Sequence, residues 1–107
     1  MSNKVIAYTT CLDRVEPEKL ATHLVEKQFA ACVNILPNTK SFYRWQGAIE
    51  TSDETLMMIK TSRDLVHKVQ QVIDQIHSYD LPELIVVPII DGSSNYLAWI
   101  EHELKTT

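Results

Sequence analysis

Two long β-forming stretches, separated by a glycine turn, constrain the fold of this chain more than any other feature. Residues 33–45 and 48–61 are rich in β-branched, aromatic and other apolar side chains, and Gln46-Gly47 stands between them. This pattern predicts a β-hairpin. An arm of about fourteen residues extends roughly 45 Å, whereas a domain of this size has a radius of gyration of about 13 Å. The tip of the hairpin is therefore expected to project.

The predicted tip carries Tyr43, Trp45 and Ile49. Side chains of this kind would place a contiguous apolar surface in water, which monomeric proteins avoid. We expect another subunit to cover them, so that these three residues form an oligomer interface. The alternative is a tip that folds back onto its own domain.

The composition limits the class of protein. A chain of 107 residues suits one domain, residues 1–107, with one core. The net charge is −4 and no block of Lys and Arg stands out, so nucleic acid binding is disfavoured. There is no apolar run that could span a bilayer and no N-terminal signal pattern. We therefore expect a cytoplasmic chain, not attached to a membrane, whose two cysteines stay reduced.

The remaining elements can be placed from their periodicity. Residues 4–10 indicate a buried strand, and Pro17 suits the first turn of an amphipathic helix. Residues 61–64 have the form of a capping box before a second helix. Residues 84–90 indicate a last strand, which Pro88 places at a sheet edge or a bulge. A final helix carries Tyr96, Leu97, Trp99, Ile100 and Leu104.

The resulting order is β-α-β-β-α-β with one terminal helix. This order predicts an α+β, ferredoxin-like fold with a long hairpin between its second and third strands. Right-handed crossovers place both main helices on one face of the sheet. The other face has no cover of its own in this prediction, which is a second argument for an oligomer.

The same topology brings the end of the first strand and the end of the second helix to one edge of the sheet. The side chains expected there are Thr10, Cys11, Asp13, His77, Tyr79, Asp80 and Glu83. Cys32 begins the second strand, roughly 15–20 Å from Cys11. Since a disulfide needs Cα atoms within about 7 Å, the two cysteines of one chain should neither bridge nor share a metal. Cys32 lies in an apolar context and is expected in the core.

The positions of Cys11 and His77 in the sequence are compatible with three different roles at this edge. Cys11 and His77 could act as a nucleophile and its base. With an oxygen from Asp13 or Glu83, they could instead bind a soft or borderline divalent metal. They could also be a loop thiol beside a helix-ending histidine. No complete nucleophile, base and orienting group is visible, and nucleotide-cradling glycine loops are nearly excluded by a glycine count of two, so we do not expect an enzyme.

The chain resembles the CutA divalent-cation-tolerance family. The matching residues span nearly the whole sequence in the family's order. They are Ala30-Ala31-Cys32-Val33-Asn34-Ile35, Ser41, Tyr43, Trp45, Gly47, Ile49, Glu54, Leu56-Met57-Met58-Ile59-Lys60-Thr61, His77, Tyr79, Pro82-Glu83, Pro88, Tyr96-Leu97 and Trp99.

This resemblance implies a homotrimer of ferredoxin-like subunits, similar to PII signalling trimers, with a cytoplasmic role in the response to divalent ions such as copper. Some members of the family have a cysteine, implicated in copper binding, at the position of Thr9. Cys11 lies two residues later and shares the face of Thr9 only if the strand continues that far. Others have paired histidines where this chain has Ile76 and His77. The resemblance therefore implies a weaker copper site here.

Two further functions stay open at this point. One is a regulatory module that binds a small anionic molecule in a cleft between subunits. Its positive groups would be Arg44, Lys60 and Arg63, and its walls would be Tyr79 and Trp99. The other is an architectural trimer that presents loops to a protein partner.

Overall fold

The computed structural model describes residues 3–106 and contains one four-stranded antiparallel sheet with three helices. The strands are β1 (Lys4–Cys11), β2 (Cys32–Trp45), β3 (Ala48–Ser62) and β4 (Ile85–Pro88), in the spatial order β2-β3-β1-β4. The helices are α1 (Val15–Glu26), α2 (Val66–Ile76) and α3 (Ser94–Glu103), and a 3₁₀ turn (Arg63–Leu65) precedes α2. The order of strands and helices along the chain is the one that the sequence predicts.

Helices α1 and α2 pack on the same face of the sheet. Side chains alternate along β1, so that Val5, Ala7, Thr9 and Cys11 all point to this face and are fully buried. They meet Met57 and Ile59 of β3 and an apolar stripe of the two helices that consists of Leu20, Leu24, Val69, Val72 and Ile73. The core therefore lies between one sheet face and two helices.

The opposite face of the sheet is covered at one end only. Helix α3 reaches it there: Lys60 Nζ donates a hydrogen bond to Tyr96 Oη at 3.2 Å, and Lys4 forms an ion pair with Glu101. Away from α3, Ile85 of β4 is 55% exposed. The expectation that this face has no cover within the chain is thus wrong at the α3 end and correct elsewhere.

The β2–β3 hairpin projects as the sequence predicts. Gln46 and Gly47 have φ angles of 50° and 84°, the left-handed conformations that a two-residue type I′ turn requires. Strand β1 pairs with β3 only from Thr55 onward, so the part of β3 nearer the turn pairs with β2 alone. The molecule measures 44 × 26 × 22 Å. We call this two-stranded end of the hairpin, residues 39–54, the distal ribbon.

Two smaller expectations about element ends are corrected by the structure. The predicted capping box is absent: the Thr61 hydroxyl donates to the Phe29 carbonyl oxygen at 2.6 Å, and the Asp64 carboxylate accepts from Asn3 Nδ2 at 3.1 Å. Strand β4 is shorter than residues 84–90, because pairing ends at Pro88. The position of Pro88 on an edge strand is confirmed.

Candidate cation site

Three elements deliver one sulfur, one imidazole and one carboxylate to the same point. Cys11 ends β1, Glu16 lies in the first turn of α1, and His77 directly follows α2. Ligand atoms of these three residues lie within 4.8 Å of one another. We call them the Cys11–Glu16–His77 cluster. The cluster is closed to solvent, since Cys11 and the His77 side chain are 0% exposed and the Glu16 side chain is 16% exposed.

The hydrogen bonds of His77 assign its tautomer. Nε2 lies 2.7 Å from the carbonyl oxygen of Thr10, and a carbonyl can only accept, so Nε2 carries the proton. Nδ1 accepts a hydrogen bond from the backbone N–H of Tyr79 at 3.1 Å. The ring is therefore neutral, and both of its nitrogens already have partners. Glu16 Oε1, 3.4 Å from Nδ1, accepts from the Ser78 N–H at 2.6 Å.

The thiol of Cys11 is held in its protonated form. Burial raises its pKa to about 12, and the negative charges of Glu16, Asp13 and Glu54 add to the effect. Its Sγ lies 3.5 Å from His77 Nε2 and 4.0 Å from Met57 Sδ. Because the attacking species in thiol chemistry is the thiolate, this environment disfavours a catalytic nucleophile.

The donor set of the cluster nevertheless suits a metal ion. Thiolate, imidazole and carboxylate are the ligands of zinc and copper sites in proteins. A cation would have to displace the thiol proton and take a nitrogen lone pair from its present hydrogen bond. The three side chains are therefore suitable ligands for a soft or borderline divalent cation. The thiol proton and the hydrogen bonds of His77, which such a cation must displace, lower the affinity.

A groove lies on the other side of the wall formed by Thr10 and Tyr79. The rings of His77 and Tyr79 have centroids 4.6 Å apart, so the cluster and the groove share this wall. The groove has a volume of about 690 Å³ and runs between the distal ribbon and residues 79–83. Four aromatic residues and four acidic residues line it. They are Phe42, Tyr43, Trp45 and Tyr79, and Glu50, Glu54, Asp80 and Glu83.

Glu54 connects the hydrogen bonding and the negative charge of the groove. Tyr79 Oη donates to Glu54 Oε2 at 2.6 Å, and burial together with this carboxylate raises the pKa of the Tyr79 hydroxyl. Burial and the charge of Glu54 also raise the pKa of Glu83. Negative charge is therefore crowded in this groove.

Comparison with known proteins decides the family. The sequence model of the family "CutA1 divalent ion tolerance protein" matches residues 5–103 of this chain. This chain belongs to the CutA1 divalent ion tolerance family. The resemblance found in the sequence is thus confirmed.

Three CutA proteins show the range of relatives. "Protein CutA, chloroplastic" of Arabidopsis thaliana is 37% identical over 94% of this chain, which spans only 56% of that protein's length. The "Divalent-cation tolerance protein CutA" of Pectobacterium atrosepticum is 35% identical, covering 98% of this chain and 96% of its own. The solved "Periplasmic divalent cation tolerance protein CutA" of Archaeoglobus fulgidus superposes with a TM-score of 0.91 at 36% identity, covering 95% and 99% of the two chains.

The four residues predicted for the metal site fall into two groups. Cys11 and His77 meet, because β1 continues to Cys11 and keeps it on the face of Thr9. Asp13 and Glu83 do not join them. The Asp13 carboxylate accepts a hydrogen bond from the Glu16 N–H at 3.0 Å, at the start of α1, and Glu83 lines the groove.

Glu16 is the residue that sequence reasoning missed. A signal for it was present, since Pro17 places the start of α1 within a few residues of the end of β1. An acidic residue in that first turn shares the edge of the sheet where Cys11 ends. The carboxylate of Asp13 was instead expected to be available as a ligand.

The residues predicted for an anion cleft do not converge within one chain. Lys60 lies 5.4 Å from the ring centroid of Tyr96, whose ring is 5.5 Å from that of Trp99. Tyr79 bonds to Glu54, which is roughly 20 Å from Lys60 along β3. The other two basic residues are also apart, since Arg44 lies near the hairpin turn and Arg63 in the 3₁₀ turn.

The two cysteines lie on opposite faces of the sheet. Cys32 is half-buried and pairs with Lys60, so it lies on the face away from the main helices, and its expected place in the core is wrong. Both cysteines are free thiols, as predicted. Among residues 3–106, no helix has the length and apolar character needed to cross a bilayer.

Proposed function

We propose that this chain is the subunit of a ferredoxin-like, PII-like homotrimer that acts in the cytoplasm in the response to divalent cations. We propose further that it binds copper or another divalent cation weakly at the Cys11–Glu16–His77 cluster. The observation that carries this proposal is the approach of three ligand atoms to within 4.8 Å of one another. Membership of a divalent ion tolerance family gives the cluster a functional context.

Weak binding follows from the bonds that a cation must replace. The Cys11 thiol has a pKa raised to about 12, so binding at neutral pH must release its proton. His77 must also give up the hydrogen bond to Thr10 or to Tyr79. Each net hydrogen bond is worth about 1 kcal/mol. The cluster thus supplies ligands at a cost that preformed metal sites do not have.

Calorimetric titration tests the metal proposal. Cu(I), Cu(II) and Zn(II) are titrated into the wild type, His77→Gln and Cys11→Ser, with His102→Gln as control, because His102 is an exposed histidine of α3. We expect at least about tenfold weaker binding in the two cluster variants and unchanged binding in the control. Equal affinity of the wild type and both cluster variants would remove these residues from any metal site.

Exposed apolar residues on the distal ribbon support the trimer. Trp45 is 48% exposed, Tyr43 is 42% exposed and Ile49 is 72% exposed in the single chain. The sheet face away from α1 and α2 is open beyond α3. A second and a third copy would cover both surfaces.

Molecular mass in solution tests the assembly. We expect a trimer for the wild type and weaker association for Trp45→Ala, since removal of a buried indole costs about 3–5 kcal/mol. Val25→Ala is the control, because Val25 is an exposed apolar residue of α1, on the helix side of the sheet and outside the hairpin. A stable wild-type monomer would contradict the proposal.

The architecture gives less support to binding of an anion. The groove that contains Tyr79 has four carboxylic acids in its lining and, among the described residues that line it, no Lys, Arg or His. Such a lining repels phosphates and carboxylates. Catalysis is also not proposed, because the one candidate nucleophile, Cys11, is buried and protonated.

A further inference from the structure

The groove beside Tyr79 has the size of a small-molecule site. Its volume of about 690 Å³ falls within the roughly 300–1,000 Å³ that is usual for ligand pockets. One wall is the distal ribbon, through Phe42, Tyr43 and Trp45, and the other is the segment from Tyr79 to Glu83. The cavity therefore joins the projecting hairpin to the body of the molecule.

The charge of the groove selects cations. Glu54 is 8% exposed and is fixed by the 2.6 Å hydrogen bond from Tyr79 Oη. Partial burial of Glu83 itself, and then the charge of Glu54, raise the pKa of Glu83 on the same wall. A positive group placed between these carboxylates would relieve their repulsion.

The aromatic lining separates an organic cation from a metal ion. Tyr43 and Trp45 lie on one face of the ribbon and line the groove with Tyr79, and the face of an aromatic ring attracts ammonium groups within about 6 Å. A metal ion would use the carboxylates and leave the rings without a role. Another cavity, about 530 Å³ beside α1, has no Phe, Tyr or Trp among the described residues that line it and mixes Arg14 and Lys19 with Glu18 and Glu26. Rings and carboxylates thus coincide in the groove and not there.

We propose that the groove binds a compact organic cation of the alkylammonium class. The carboxylate of Glu54 neutralises its charge, and the rings of Tyr79, Tyr43 and Trp45 surround its alkyl groups. The site goes beyond the proposed metal function and uses none of the residues of the Cys11–Glu16–His77 cluster. The site presupposes that the proposed trimer covers Tyr43 and Trp45 only from the side away from Tyr79, and titration of the assembled protein tests this.

Calorimetry with a charged and a neutral probe of the same shape tests this proposal on the assembled wild-type protein. The probes are choline and 3,3-dimethylbutan-1-ol, which differ by the exchange of the quaternary nitrogen for carbon. We expect choline to bind at least about fivefold more tightly, since a desolvated cation–π contact is worth about 1–2 kcal/mol and each 1.4 kcal/mol is tenfold.

Two variants with the same change in charge locate the site. Glu54→Gln should weaken choline binding about five- to tenfold, because it removes the buried carboxylate of the groove. Glu18→Gln removes one negative charge at the other cavity and should leave choline binding unchanged. Cys11→Ser should also leave it unchanged, which keeps this test separate from that of the metal site.

Four results would overturn the proposal. Equal affinity for the neutral probe would make the groove an apolar pocket. Equal weakening by Glu18→Gln would show attraction by net charge alone. Displacement of choline by stoichiometric Mg²⁺ would identify a metal site of carboxylates. Choline binding that arises only on dissociation to monomers would identify a side chain of a second copy as the occupant.

Discussion

The Cys11–Glu16–His77 cluster and the groove lie on two sides of one wall and differ in how their polar groups are paired. In the cluster, polar atoms satisfy one another: His77 bonds to Thr10 and Tyr79, and Glu16 bonds to Ser78. In the groove, carboxylates and rings line an open volume of about 690 Å³. A cation must break bonds to enter the cluster, whereas it can enter the groove without displacing any of them.

This difference shows that proximity of ligand atoms is a weak indicator of affinity by itself. The cluster has the better donors, sulfur and imidazole, but uses them to join β1, α1 and α2. The groove has the poorer donors, but its described lining residues include four carboxylic acids and no Lys, Arg or His to balance them. Protons and hydrogen bonds, more than the identity of the donors, therefore distinguish the two sites.

The largest expected effect concerns the reactivity of the cluster thiol. A pKa raised to about 12 leaves almost no thiolate at pH 8. In a Cys32→Ser variant, Cys11 should react with iodoacetamide at least about a thousandfold more slowly than a free thiol of pKa about 8.5. Mass spectrometry of timed samples measures the rate, with the same variant in denaturant as the control. A rate at or above that of the free thiol would mean that the cluster is open.

The next largest effect is the loss of stability when the cluster is disrupted. His77→Ala removes a fully buried ring and leaves the Thr10 carbonyl and the Tyr79 N–H without their partner. We expect the free energy of unfolding in urea to fall by about 3 kcal/mol. His67→Ala is the control, since His67 lies exposed in α2. A change no greater than that of the control would contradict a structural role of the cluster.

In the groove, we expect replacement of an acidic residue to increase the stability of the fold, by a smaller amount. The pKa of Glu83 is raised above the ordinary 4.5 in the folded protein. Below pH 4.5 the carboxyl is protonated in the folded and the unfolded states, so it does not oppose folding. As the pH rises through the folded-state pKa, ionisation of this partly desolvated carboxyl group next to Glu54 destabilises the fold.

Replacement of Glu83 by Gln should therefore raise the melting temperature at pH 7, by no more than about 4 °C because Glu83 is exposed. The gain should disappear near pH 3.5. Glu18→Gln, at an exposed position on α1, is the control. A lower melting temperature for Glu83→Gln at pH 7 would show that Glu83 is stabilised by its surroundings.

The sequence predicts those features of the fold and the site that depend on local patterns and on the order of strands and helices. Gln46-Gly47 specifies a tight turn, so the projecting hairpin follows from the chain itself. The meeting of Cys11 and His77 follows from the order of strands and helices. Both depend on patterns that tertiary packing does not override.

The predictions were wrong where the position of a side chain depends on its hydrogen-bond partner or strand pairing, which a sequence pattern does not specify. Asp13 was predicted as a ligand, but its carboxylate accepts the Glu16 N–H, and Glu16 takes its place in the cluster. Cys32 lies in an apolar run, yet pairing with Lys60 places it on the face away from the main helices. The acidic groove combines Thr10 with residues between 41 and 54 and between 79 and 83, whose proximity only the folded chain creates.

The most direct test is the number of protons released when Cu(I) or Zn(II) binds at pH 7. Calorimetry in buffers of different ionisation enthalpy gives this number for the wild type and Cys11→Ser. We predict release of at least about one proton per bound ion in the wild type and correspondingly fewer in the variant. Metal binding of equal affinity with no proton release in the wild type would contradict a protonated, hydrogen-bonded Cys11–Glu16–His77 cluster as the cation site.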